Sequence, residues 1–82
     1  MNNQHRYRNE VINELSRAPV NVRHWLLVNE GFKAGLETLN PNSSSWIHDE
    51  RVRVIVKTGL IRMIASAIEF VYAFPDAQVP KV

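Results

Sequence analysis

The 82-residue chain contains no cysteine, which excludes disulfides and thiolate metal sites. Those are two of the staples on which domains near the lower size limit for a single core commonly rely. Three histidines remain as candidate metal ligands, thin support for a metal centre. By elimination, self-association or partner binding leads among sources of extra stability. Charge of one sign is equally scarce. Ten Lys and Arg against eight Asp and Glu leave a net charge of +2, so a pI near 9.4 overstates how basic the chain is. That balance permits nucleic-acid binding without arguing for it. Long apolar runs are missing too. Leu60 to Phe74 is the strongest, but Arg62, Ser66 and Glu69 interrupt it, and it is shorter than the roughly 20 residues a bilayer crossing needs. The polar opening, Met1-Asn2-Asn3-Gln4-His5-Arg6, carries no signal-peptide pattern, so the expectation is a cytoplasmic protein without a membrane partner.

What is present is enough apolar residue, 45% against 22% charged, to build a globular core. The expected architecture is all-α: one compact domain over residues 1–82, with three helices and no internal repeat. At 100° per residue, Tyr7, Val11, Leu15 and Ala18 fall within about 80° of one another, with Ile12 at the edge, and predict a helix over about 4–17. Pro19 ends it, lacking the N–H and disfavouring helix before it. A second helix over 22–39, capped by Asn21, carries the stripe Trp25, Val28, Phe32, Leu36 and Leu39. Gly31 and Gly35 sit beside that stripe, four apart. They either admit a neighbouring backbone or mark a kink. Asn40-Pro41-Asn42-Ser43-Ser44-Ser45 is the clearest loop, 40–46. The third helix spans about 48–73, capped by Ser45 or Asp49, with Asp49 and Glu50 where a helix N-terminus favours negative charge. Pro75 stops it and leaves an extended tail over 75–82.

The third helix is the informative one. Its first half has Arg51, Arg53 and Lys57 in solvent while Val52 and Val56 begin a core stripe. From Leu60 onward the apolar residues spread over about 200°, whereas a helix packed on one neighbour needs a stripe only somewhat wider than 100°. This helix is expected to be largely buried and covered on two sides. Helices 1 and 2 of the same chain could do that, making a self-contained bundle, but their stripes are narrow. Leaving about 300 Å² of apolar surface in water forgoes about 7 kcal/mol, comparable to the whole stability of a small domain. Burial by a partner, a second copy or a foreign protein, is therefore the favoured expectation. The contact is expected at Ile61, Ala65, Ile68 and Tyr72, on the flank opposite Val52, Val56, Met63 and Phe70. Trp46 either packs back on the bundle with Ile47 as a staple or serves as an interface anchor. Trp25 reads as core.

Catalytic sets are not evident. There is no cysteine nucleophile, no Gly-rich phosphate loop and no Gly-x-Ser-x-Gly turn. His24, His48-Asp49 and Asp76 follow an order that resembles the His…His-Asp…Asp pattern of helical HD-type metal phosphohydrolases. Those domains are considerably longer, and Asp49 reads more simply as a helix-terminal carboxylate. Two basic groups offer nucleic-acid footprints: His5, Arg6, Arg8, Arg17 and Arg23 in the first half, and Arg51, Arg53, Lys57 and Arg62 in the second. Arg51-Val52-Arg53-Val54-Ile55-Val56 also alternates partly like a strand, and a basic strand before a helix resembles the opening of a ribbon-helix-helix DNA binder. That architecture needs a further helix, and too little chain follows Ala73. The reading that results is a non-enzymatic interaction module without cofactor or metal: a small adaptor, regulator or inhibitor, of a kind common among accessory genes of bacteria and mobile elements. The alternative is a small DNA-binding regulator using Arg51, Arg53 and Lys57.

Overall fold

A computed structural model describes residues 4–75. The proposed tail falls outside these residues beyond Pro75, as do Met1–Asn3 and Asp76. Among the described residues all regular structure is helical: α1 Arg6–Ser16, α2 Val20–Val28, α3 Glu30–Thr38 and α4 Glu50–Ala73. The stretch 51–57 is helix, not strand.

The main departure from expectation is that the second helix is two. Asn29 leaves the helical region, with φ −71° and ψ 122°, and its Oδ1 accepts from the backbone N–H of Phe32 at 3.0 Å. A side-chain oxygen at that position satisfies a donor that a helix start leaves free, and Asn is among the best residues for it. Glu30 follows in the first turn, where a carboxylate is favourable at the positive end of the helix dipole. The N-cap of α2 is Pro19 rather than Asn21, since the missing N–H costs nothing before the first turn. Asn21 lies inside that turn and accepts from Val22 N at 3.0 Å.

The glycine pair divides along the same line. Gly31 lies beside the Asn29 cap, where an added Cβ would come within 3.3 Å of the capping oxygen. At Gly35 an added Cβ would come within 2.9 Å of Leu60 Cδ2, so the absent side chain is what lets α3 pack closely on α4.

Helix α4 packs against each of the other three, most extensively α1. Its buried stripe is Leu60, Ile64 and Ala67, joined by Val11, Leu15 and Ala18, by Val22 and Leu26 of α2, and by Phe32 and Leu39. This stripe differs from the one expected. Val52 and Phe70, expected on the core side, are exposed, while Val56 and Met63 are half buried against the core cluster. Asp49 caps α4, accepting from Arg51 N at 2.9 Å. The loop before it is held by Ile47 N donating to Thr38 O at 3.1 Å and by Trp46 N donating to Ser43 O at 3.1 Å. The α1–α4 seam carries polar links as well: Tyr7 Oη donates to Glu50 Oε1 at 3.2 Å, and Lys57 pairs with Glu10 at 3.8 Å.

The body measures 44 × 20 × 18 Å with a radius of gyration of 13.4 Å, above the roughly 12 Å expected for a chain of this length. At 1.5 Å per residue α4 alone is about 36 Å long. The three shorter helices cover one side of this rod and leave the other in solvent.

Candidate functional site

The uncovered side of α4 is the surface to be explained. Large apolar groups stand in water at its start, where Ile55 is 69% exposed, and at its end, where Phe70, Tyr72 and Phe74 are 49%, 75% and 56% exposed. Phe70 and Phe74 pack against each other at one flank, ring centroids 5.1 Å apart and planes tilted by 42°. Exposed apolar residues taken singly need no explanation, but a run along one helix does.

On that same flank the gap between α2 and α4 forms an open groove of about 500 Å³. Trp25 and Leu26 line it from α2, and Gly59, Met63, Ser66 and Phe70 are among its residues from α4. The floor is low because Gly59 has no side chain and, apart from its chain neighbours and the local helix backbone, no atom lies within 4 Å of where a Cβ would be. The groove is mostly apolar, with Arg62 contributing a charge.

The residues anticipated for contact are divided by the fold. Tyr72 and Ala65 are exposed on the outer side of α4. Ile61 and Ile68 are half buried and pack against the core cluster. Trp46 is half buried at the base of α4, with the Arg53 guanidinium 4.4 Å above its ring, an arrangement that shields the indole through a cation–π contact. Phe70, Phe74 and Ile55 were not singled out for contact. Their signal was available as apolar positions beside Arg62 and Glu69, but nothing in the sequence said which part of a 200° arc would meet the core.

The basic residues proposed for DNA do not form one surface. Arg51 is exposed and lies 3.6 Å from Asp49. Arg53 donates to Ile47 O and covers Trp46. Lys57 is only 21% exposed, paired with Glu10 and lying 5.8 Å from the Tyr7 ring centroid. Two of the three are thus occupied within the fold. His24, His48 and Asp49 are exposed, and the described residues contain no group of three His, Asp or Glu placed to hold a metal. No helix among them is long and apolar enough to cross a membrane.

Set against protein-family models, curated proteins and solved structures, the chain matches none.

Proposed function

We propose that this chain is a non-enzymatic protein-interaction module, a small adaptor, regulator or inhibitor, which binds through the uncovered side of α4. The observation that carries the reading is the exposed set Ile55, Phe70, Tyr72 and Phe74 beside an apolar groove. Fully burying such a side chain is worth about 1.5–3 kcal/mol. Leaving several in water is costly for a small domain unless a partner covers them. A cytoplasmic setting belongs to the same reading. The DNA alternative has less support, because Arg53 and Lys57 are committed to Trp46, Ile47 and Glu10.

A photo-crosslinking residue placed at Phe70 or Tyr72, in cells that make the chain naturally, tests the reading. Crosslinks should form from these positions and be absent from the exposed α1 residue Asn13. They should disappear when Phe74 and Ile55 are made polar. Crosslinking from Asn13 as strongly as from α4 would remove the basis for the proposal.

A further inference from the structure

The outer side of α4 carries two charges in its last three turns, Arg62 and Glu69, and their placement says what covers it. Both are exposed, and among the described residues neither has an ion-pair or hydrogen-bond partner. They are opposite in sign, about 10 Å apart along the axis and within about 20° of the same direction. That direction lies opposite the buried stripe of Leu60, Ile64 and Ala67. From this self-complementary pattern we infer that the occupant is a second copy of this chain, paired antiparallel along α4. The inference rests on the interaction-module reading and names its partner.

A two-fold axis beside Ala65 and Ser66 sets Arg62 of each chain against Glu69 of the other. In a symmetric pairing each contact occurs twice, so one ion pair becomes two. Parallel, in-register pairing would instead set arginine against arginine and glutamate against glutamate, so the charges select the orientation. Charged residues in a helix seam act in this way, fixing register at some expense of stability. The other side chains along this face agree with close approach. Ala65 and Ser66 at the centre are small, and the same symmetry brings Phe70 of one chain between Gly59 and Met63 of the other, into the groove that Gly59 leaves open. Tyr72 meets the opposite flank at Thr58 and Ile61. The helical overlap about that axis, residues 58–73, is about 24 Å of a helix about 10 Å wide, smaller than the roughly 800 Å² per partner of standard stable interfaces. The dimer is accordingly expected to dissociate on dilution.

Light scattering of the full chain from about 1 µM to 1 mM, a span covering weak interfaces, reads the outcome. The native chain should pass from monomer to dimer within that range. Arg62→Glu alone and Glu69→Arg alone should each weaken the dimer at least tenfold, and the double exchange Arg62→Glu with Glu69→Arg should restore it. All three change exposed positions, and circular dichroism should show the fold intact. Gly59→Leu gives a second route: an added Cβ there meets nothing within 4 Å and the side chain extends into the open groove, so the monomer should fold as before, by circular dichroism, while the dimer is lost. A chain that stays monomeric to the top of the range would overturn the inference. So would single and double charge exchanges with the same effect. In the crosslinking experiment, products with a foreign protein and none with itself would refute the second copy while leaving the interaction-module reading standing. Absence of any α4-specific crosslink would remove both.

Discussion

Truncating Phe32 to alanine removes the largest side chain that the fold hides completely from solvent. Such a change typically costs about 3–5 kcal/mol, against a total of about 4–12 kcal/mol for a chain of this length. Urea titration should therefore show Phe32→Ala with most of its stability gone, and a midpoint near that of the native chain would mean Phe32 is not central to the core. The glycines invite an opposite pair of outcomes. Gly59 is in mid-helix with open space where a Cβ would go, so Gly59→Ala should gain about 0.8–1 kcal/mol of helix propensity. For a domain of this size that raises Tm by about 4–8 °C. At Gly35 an added Cβ would come within 2.9 Å of Leu60 Cδ2, and a valine there would have to displace that packed side chain, at about 1–3 kcal/mol. Valine and glycine differ little in helix propensity by comparison, so thermal melts of Gly35→Val report the close approach of α3 to α4 rather than backbone preference.

The break between α2 and α3 shows what apolar spacing can and cannot reveal about elements. Trp25, Val28, Phe32, Leu36 and Leu39 recur at helical intervals, so the stripe runs smoothly across a point where the chain actually turns. Val28 proves to be partly exposed while Val22 and Leu26 are buried, which separates the α2 stripe from that of α3. The local signal for a restart was present in Asn29-Glu30, a capping residue followed by a first-turn carboxylate, but continuity of the stripe hid it. The all-helical class and the loop after Leu39 were legible because each rests on local chemistry, while the cap of α4 stayed open between Ser45 and Asp49 until the structure placed Asp49 there. If the Asn29 side chain holds the new start, Asn29→Ala should cost about 1 kcal/mol. Amide exchange should quicken first at Phe32, whose N–H loses its acceptor, while exchange in α4 changes only through global stability. Uniform acceleration across all four helices would mean that the break is imposed by packing instead.

At the scale of the whole molecule, α4 had an apolar arc too wide to have a centre, so its rotation could not be read from periodicity. Packing against the other three helices sets that rotation: Leu60 is turned inward, near Gly35, and Ile64 and Ala67 follow on the same face. The remainder of the arc, including Phe70 and Tyr72, is thereby directed outward, which is why the candidate surface depends on a long-range contact and not on any local motif. The same arrangement makes α4 the common support for three helices that are each too short to persist alone. Helices of 9 to 11 residues lie below the roughly 12–15 at which even favourable sequences become marginally helical in water. Val11, Leu15, Val22, Leu26 and Phe32 share one cluster with Leu60, Ile64 and Ala67, and without α4 that cluster is open along its length. A chain ending at Pro41 should therefore lose most of its far-ultraviolet helical signal, and adding residues 42–75 as a separate peptide should restore it in proportion to the amount bound. Retention of full helicity by the shorter chain would show that α1, α2 and α3 form a core of their own. In that case α4 would be held to the domain by its surface alone, and its exposed groups would have to be weighed as part of a detachable helix.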